Sequence, residues 1–340
     1  MIAAAPTPML LSYHAIDSGP DDAGWRGMFE TLWPAYERWY LREGVLARPT
    51  YSACRRALLA HMPEFVPVWE RLCELAGGGD LAARFLSLLD PPPYLSACSQ
   101  AVWPGPEPLL VRNYDYAATA FDAVCLRTGW GGRRVMGTSD CLVGLVDGMN
   151  DAGLALSLTF GGSRVVGNGF GVPLILRYVL QTCSTADEAG AVLARIPCHM
   201  AYNVTALDAK RRIVTAQLAP GRDALLTRSP VATNHQERVE WVAHARMTAT
   251  VERERFLLRR MMLHEDTPAH FIGAFLKPPL YSLAFDRGFG TLYTAAYRPI
   301  EGRLDYHWPG QSWGQQLQHF EPGVRAIAYP VASGGLSLSR

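Results

Sequence analysis

The fold is decided by the stretch Tyr94-Leu-Ser-Ala-Cys98-Ser-Gln-Ala-Val-Trp103 and by the segment Leu109-Leu-Val-Arg112-Asn-Tyr-Asp115-Tyr116 that follows it. Both segments are rich in apolar and aromatic residues, which is typical of β-strands. Between them, Pro104-Gly-Pro-Glu-Pro108 has the composition of a turn. We therefore predict a β-hairpin that carries a cysteine near the start of its first strand.

The register of this hairpin follows from its turn. A connection over residues 104–108 pairs Trp103 with Leu109 and sets Cys98 opposite Tyr114. Because side chains alternate between the two faces of a strand, Arg112 shares the face of Cys98, one diagonal step away. Asp115 follows at the strand end, near the backbone of the cysteine. A slip of one residue would exchange the roles of the arginine and the aspartate.

These residues can build a thiol nucleophile from local sequence alone. An arginine favours the thiolate, and a thiol titrates near ~8.5 in model compounds. If the bond between Ala97 and Cys98 is cut, the α-amine formed on Cys98 can take the thiol proton. Two interpretations are open at this point: such a nucleophile, or a buried structural cysteine in a hairpin with a solvated Arg/Asp pair.

Several motifs, in the same order along residues 94–310, resemble the acyl-coenzyme A:6-aminopenicillanic acid acyltransferase family. They are Cys98-Ser-x-x-x-Trp103, Arg112-Asn-Tyr-Asp115, Gly148-Met-Asn-Asp-Ala-Gly153-Leu-Ala, Gly169-Phe-Gly-Val-Pro173 and Thr233-Asn-His235. That family belongs to the N-terminal nucleophile hydrolases and is similar to choloylglycine hydrolases and acid ceramidases. The resemblance implies an α+β fold, a four-layer αββα sandwich. It also implies self-cleavage before the cysteine and action on linear amide C–N bonds or acyl thioesters.

The resemblance assigns roles to four residues: Cys98 is the nucleophile, Arg112 and Asp115 are its charged partners, and Asn234 is an oxyanion donor. A side-chain amide suits that last role because its N–H groups stabilise the developing negative oxygen. Four further residues are candidates for substrate or oxyanion contacts: Tyr114, Thr159, Asn203 and Arg253.

This chain departs from the family pattern at two places. Many choloylglycine-type relatives have an asparagine where this chain has Thr159, so the second oxyanion donor is either a backbone N–H or the Thr159 hydroxyl. Relatives that cleave themselves often have glycine before the cysteine, whereas this chain has Ala97. Alanine is small enough to permit attack on its carbonyl.

Composition limits the classes of function. The chain has 340 residues, of which 49% are hydrophobic and 19% charged, with a net charge of +1, as in ordinary globular proteins without a basic nucleic-acid face. The sequence has no long uncharged apolar run of the kind that predicts a membrane span. Its first residues lack the basic start followed by an apolar stretch that is typical of a secretory signal. Seven scattered cysteines without a Cys-x-x-Cys pair indicate a reducing, cytoplasmic location. We expect a small acyl amide or acyl thioester as the partner and no cofactor or metal; the oligomeric state is open.

Two regions are predicted along the chain. Residues 1–97 form a helical pro-segment or small chain, with helices near 24–43, 50–61, 65–75 and 80–89. Residues 98–340 form the catalytic domain, with strands near 126–128, 135–136, 141–146, 154–160, 201–207, 213–218 and 225–227 and a hairpin at 291–307. Its helices are expected at 173–183, 185–196 and 243–262, and residues 321–340 as a loose tail.

The sequence thus predicts a cysteine acyltransferase or amidohydrolase that is activated by cleavage between Ala97 and Cys98. Two alternatives stay open. One is an uncleaved cysteine thioesterase or amidase, and the other is a non-catalytic binding protein on the same fold.

Overall fold

The computed structural model describes residues 9–94, 97–263 and 266–329. Its helices are α1 (Ala23–Tyr40), α2 (Tyr51–His61), α3 (Val66–Leu75), α4 (Asp80–Leu86), α5 (Val172–Thr182), α6 (Ala186–Arg195), α7 (Val242–Met247), α8 (Thr250–Met261) and α9 (Pro268–Phe275). Within these described ranges, no helix combines the length and apolar character that crossing a membrane requires.

The larger of two sheets contains nine strands in the described residues, in the spatial order β10-β9-β8-β7-β6-β5-β4-β1-β16. These strands are β1 (Met9–Asp17), β4 (Val124–Thr128), β5 (Val135–Asp140), β6 (Gly144–Asn150), β7 (Leu154–Phe160), β8 (Tyr202–Asp208), β9 (Ile213–Leu218), β10 (Leu225–Thr227) and β16 (Gly323–Tyr329). Neighbouring strands are antiparallel except for β1 and β4, which are parallel.

The smaller sheet has the order β11-β2-β3-β13-β14-β15, with β12 paired to β13. Its strands are β2 (Ala97–Val102), β3 (Leu110–Tyr116), β11 (Val231–Ala232), β12 (Leu283–Ala284), β13 (Phe289–Arg298), β14 (Arg303–Trp308) and β15 (Gln311–Gln316). The hairpin of β2 and β3 thus lies inside a sheet and is flanked on both sides.

The two sheets pack face to face, and a helical layer covers each outer face. Strands β2 and β3 contact β7 across the interface, α5 and α6 pack on β6 and β9, and α8 and α9 pack on β2 and β3. The predicted four-layer αββα sandwich is confirmed. Helix α6 starts with a capping box: the Thr185 side chain accepts from the Glu188 N–H, and the Glu188 carboxylate accepts from the Ser184 N–H.

The termini differ from the prediction. The four helices expected before residue 90 are present, but Met9–Asp17 is a strand, so the N-terminal region is not purely helical. Residues 323–329, expected within a loose tail, form β16, which pairs with β1 from Met9↔Tyr329 to Ala15↔Gly323. Both errors have one cause: each strand finds its partner at the other end of the chain, where local patterns carry no signal.

Two internal boundaries also differ. The helix predicted over 243–262 is broken into α7 and α8, because Ala249 adopts a left-handed backbone conformation with φ 48°. The strand predicted at 141–146 begins at Gly144, after a turn in which Cys141 and Leu142 both have positive φ. The other predicted strands and helices agree with the structure to within a few residues, whereas α9, β11, β12 and β15 were not predicted.

Candidate active site

The hairpin has the predicted register. Cys98 lies opposite Tyr114, and Ala97 lies opposite Asp115. Cys98 and Arg112 share the face that packs on the larger sheet, where Arg112 Nε donates to the Leu158 carbonyl oxygen at 2.9 Å. Arg112 and Asp115 therefore lie on opposite faces of β3, as the alternation of side chains requires.

A guanidinium lies directly beside the cysteine sulfur. Arg112 Nη2 is 3.2 Å from Cys98 Sγ, and both residues are fully buried. A cation at this distance stabilises the thiolate, which is the nucleophilic form of cysteine. Burial alone lowers the pKa of Arg112, but the neighbouring Cys98, Tyr293 and Asp147 outweigh it and hold that pKa well above its usual value.

Asp147 anchors this arginine, and sequence reasoning missed it. Arg112 Nη1 donates to the Asp147 carboxylate and to the Tyr293 hydroxyl, the latter at 3.0 Å. The same carboxylate accepts hydrogen bonds from Tyr293 and Tyr297 at 2.7 and 2.6 Å. The available signal was a carboxylate inside the apolar strand β6, since an acid in a buried strand needs a partner.

A second charged group lies on the other face of the hairpin. Arg253 Nη1, from α8, donates to the Cys98 carbonyl at 3.0 Å, to Ser99 Oγ at 2.7 Å and to Asp115 Oδ2 at 3.1 Å. Thr291 Oγ1 donates to the other Asp115 oxygen at 2.7 Å. Burial raises the pKa of Asp115 to about 6, although Arg253 and the Thr291 hydrogen bond oppose that rise.

Asn234 holds the backbone nitrogen of the cysteine. Its Oδ1 accepts from the Cys98 N–H at 3.0 Å and from Arg253 Nη2 at 2.6 Å. Its Nδ2 donates to the Phe160 carbonyl at 3.3 Å, a long hydrogen bond. The Asn234 N–H donates to Thr250 Oγ1 at 2.6 Å, so α8 fixes this loop. Asn234 thus contacts the backbone nitrogen of Cys98, and Asp115 reaches that region through Arg253.

The other candidates take different positions. Asn203 Nδ2 donates to Thr159 Oγ1 and to the Thr233 carbonyl, and the Thr159 hydroxyl donates to that same carbonyl at 2.7 Å. Both side chains thus support the loop that carries Asn234. The Tyr114 ring lies 4.5 Å from the Arg112 guanidinium, in a cation–π contact. Their roles as substrate or oxyanion contacts stay predictions.

The sequence matches the family model of acyl-coenzyme A:6-aminopenicillanic acid acyl-transferase over residues 103–313. The chain belongs to this family. The matched range begins after Cys98 and contains Arg112, Asp115, Asn234 and Arg253. No curated protein matches the sequence.

Solved structures of related enzymes are similar to this member of the acyltransferase family at low sequence identity. A mutant of the conjugated bile acid hydrolase from Clostridium perfringens has 14% identity and a TM-score of 0.46, covering 71% of this chain and 100% of its own. Penicillin V acylase from Agrobacterium tumefaciens has 14% identity and a TM-score of 0.44, covering 65% and 86%. A Caenorhabditis elegans N-acylethanolamine-hydrolyzing acid amidase ortholog has 15% identity and a TM-score of 0.43, covering 60% and 92%.

In this acyltransferase-family chain, the site is closed. None of Cys98, Arg112, Asp115, Asn234 and Arg253 is more than 3% exposed. Arg112 and Arg253 thus contact a cysteine that lies within strand β2.

Proposed function

We propose that this chain is a cysteine N-terminal nucleophile enzyme that cleaves itself between Ala97 and Cys98 and then transfers acyl groups from amides or thioesters. One observation carries the proposal. Arg112 contacts the sulfur of Cys98 while Asn234 contacts the nitrogen of the same residue. A nucleophile and its future base are thus each held by a separate polar group.

Self-cleavage uses atoms that are already adjacent. The Cys98 thiol attacks the Ala97 carbonyl carbon, forming a C–S bond, and the C–N bond breaks as the nitrogen takes up the thiol proton. Water then hydrolyses this thioester, which gives a carboxylate on Ala97 and restores the thiol. The α-amine of Cys98 exists only after this step, so cleavage activates the enzyme.

Turnover repeats the chemistry on an external acyl group. The α-amine accepts the thiol proton, Sγ attacks the acyl carbon, and the leaving amine or thiol takes that proton. Water or an acceptor amine then attacks the acyl-enzyme. Arg112 favours the thiolate, and Asn234 supplies an N–H to the oxyanion, a donor whose loss typically costs about 10²–10³ in rate. Coenzyme A would at most be a leaving group, so the reaction needs no bound cofactor.

The segment before Cys98 is proposed to stay attached after cleavage. Strand β1 lies between β4 and β16 in the larger sheet, and its removal would expose two strand edges. The product is therefore a two-chain protein with residues 1–97 as the small chain.

Mass spectrometry of the purified protein tests self-cleavage. Wild type is expected to give fragments that end at Ala97 and begin at Cys98, whereas Cys98→Ala stays intact. Cys125→Ala, at a buried cysteine of β4, is the matched control and is expected to cleave normally. An intact wild type, or equal cleavage of Cys98→Ala, contradicts self-processing.

Turnover is tested separately, with short acyl amides and a thiol-reactive acyl probe. Cys98→Ser and Cys98→Ala are expected to lose hydrolysis, and the probe is expected to label Cys98 in wild type. Labelling and turnover by an uncut chain would favour the uncleaved thioesterase or amidase. Failure to acylate Cys98 at all would favour a binding protein.

A further inference from the structure

An acidic cavity of about 270 Å³ lies between helix α1 and the sheets, near the proposed nucleophile. Small-molecule sites range from ~300 to 1,000 Å³, so this cavity holds one group of a substrate and not a large whole molecule. Its walls combine aromatic rings with two carboxyl groups: Tyr36, Trp39, Tyr116, Phe121, Asp122 and Asp140.

The two carboxyl groups share one hydrogen-bond donor. The Tyr36 hydroxyl lies 2.8 and 2.9 Å from the oxygens of Asp122 and 3.1 Å from Asp140 Oδ1. A phenol has one proton, so it cannot donate fully to both acids. The Cys141 N–H donates to this hydroxyl at 2.8 Å, which fixes its position. The Cys141 thiol adds a weak donor to Asp140 at 3.4 Å.

No cation balances this acidic pair among the ion pairs of the described residues. The positive charge of Arg112 acts to lower the pKa of Asp140, but the Arg112 guanidinium forms its ion pair with Asp147. Burial raises the pKa of Asp122 well above its usual range, and the neighbouring Asp140 raises it further. In the described part of the chain, no three metal-ligating side chains come together, so the pair is not part of such a cluster.

The aromatic walls favour a cation as well. Aromatic faces attract ammonium and quaternary nitrogen groups within about 6 Å, most strongly where water is excluded. Tyr36 and Trp39 lie edge to face at 6.2 Å on one side, and Tyr116 and Phe121 line the other. The two acids and the aromatic faces together favour positive charge, because a cation bound beside Asp122 and Asp140 would stabilise the ionised form that burial disfavours.

The stacked rings of Tyr116 and Tyr114 lie between the cavity and the Arg112–Cys98 contact. Tyr116 stacks on Tyr114 at 5.6 Å, Tyr114 lies 4.5 Å from the Arg112 guanidinium, and Arg112 contacts Cys98 Sγ. Three packed side chains thus connect the cavity wall to the sulfur, and a substrate bound at Cys98 would have to pass them to reach Asp122 and Asp140.

We propose that this cavity binds a positively charged nitrogen group, primary or quaternary, carried by the acyl amide that Cys98 cleaves. The inference rests on the proposed function for the reaction itself, but the recognition of charge is a separate property. It assigns Asp122 and Asp140 as specificity-determining residues.

Binding is measured on the intact Cys98→Ala chain by titration calorimetry, so no turnover is needed. The probes are choline against its uncharged tert-butyl analogue, and n-butylammonium against n-butanol. At least one cation is expected to bind about tenfold or more tightly than its neutral counterpart, through charge-assisted hydrogen bonds for n-butylammonium and cation–π contacts for choline. Asp122→Asn with Asp140→Asn is expected to abolish that preference, whereas Asp223→Asn, at an exposed carboxylate, is expected to keep it.

The outcomes separate the two proposals. Equal binding of cations and neutral analogues, no binding of either cation, or a preference that survives both asparagines overturns the cavity assignment. The unfolding midpoint checks that each variant is folded, and Asp140→Asn alone serves if the double variant is not. A cation preference in a protein that never cleaves amides supports the cavity and refutes only the reaction. In an active enzyme, ammonium-bearing amides are expected to lose about tenfold in kcat/KM in the double variant, and neutral amides to lose little.

Discussion

Removing either partner of the buried Arg112–Asp147 pair is expected to destabilise the fold strongly. Both side chains are fully buried. Asp147→Asn leaves a guanidinium without its carboxylate in a site that water does not reach. Arg112→Met leaves the carboxylate with only its two tyrosine donors and removes the donor to the Leu158 carbonyl.

The magnitude follows from this burial. Breaking a buried ion pair on one side typically costs about 3–5 kcal/mol. An exposed pair such as Arg26–Glu30, with side chains 59% and 64% exposed, is worth only about 0.3–0.5 kcal/mol. Because the double variant Arg112→Met/Asp147→Asn leaves neither charge alone, we expect its cost to be about 2–3 kcal/mol less than the sum of the single costs.

The assay is urea unfolding of each variant on a Cys98→Ala background, which keeps every protein as one uncut chain. Glu30→Gln is the matched control for loss of a carboxylate from an ion pair. The four chains of the cycle are measured under one condition, so the coupling comes from differences in the free energy of unfolding.

Additive costs for the two single variants would refute this reasoning. So would a cost for Asp147→Asn as small as that of Glu30→Gln. Either result would mean that the buried charges do not stabilise one another, and Asp147 would lose its assignment as the anchor of Arg112.

Four further outcomes are expected. Burial raises the pKa of Asp115 to about 6, so the ion pair of Asp115 with Arg253 weakens as the pH falls through that value. The rate of self-cleavage should therefore fall near pH 6 in wild type. The rate–pH profile of Asp115→Asn should lack this inflection. The raised pKa also means that ionising Asp115 costs stability as the pH rises from about 4 to about 6, a slope that urea unfolding of the asparagine variant should lack. Thr250→Val removes the acceptor of the Asn234 N–H, so it should lower the free energy of unfolding by about 1–3 kcal/mol and slow self-cleavage. Thr250→Ser keeps the hydroxyl and should restore both the stability and the rate. Equal cleavage rates for the two variants would contradict a positioning role for Thr250. Arg177 is fully buried, has no ion pair among the described residues, and has a pKa that burial lowers to about 9. Arg177→Met should therefore leave the thermal unfolding midpoint unchanged or higher. A large loss of stability would show that the hydrogen bonds of Arg177 contribute more than its desolvation costs.

Local sequence was sufficient for the hairpin that carries Cys98. A Pro/Gly turn of fixed length and the alternation of strand side chains gave the pairing with Tyr114 and the face of Arg112, because both depend on short-range backbone geometry. The same holds for α6, whose capping residues lie within one helical turn. Motif order along the chain was enough to indicate the family.

Contacts between distant segments were not accessible in this way. Strands β1 and β16 pair across almost the whole chain, so nothing in the neighbouring sequence of either strand indicates its partner. The helix predicted over 243–262 has continuous helical spacing, yet the chain turns at Ala249, and α8 then places Arg253 at the Cys98 carbonyl and Thr250 at the Asn234 loop.

The amino-acid sequence by itself determined where the cysteine stands, which arginine faces it and which family of enzymes the chain resembles. Only the tertiary structure decided that Asp147 anchors Arg112 from the opposite sheet, that Asn234 and Arg253 meet at the cysteine backbone, and that an acidic cavity lies between α1 and the sheets. The physical reason is one of range. Strand pairing across a short turn is encoded in neighbouring residues, whereas buried charges find their partners only when two sheets and their helices close around them.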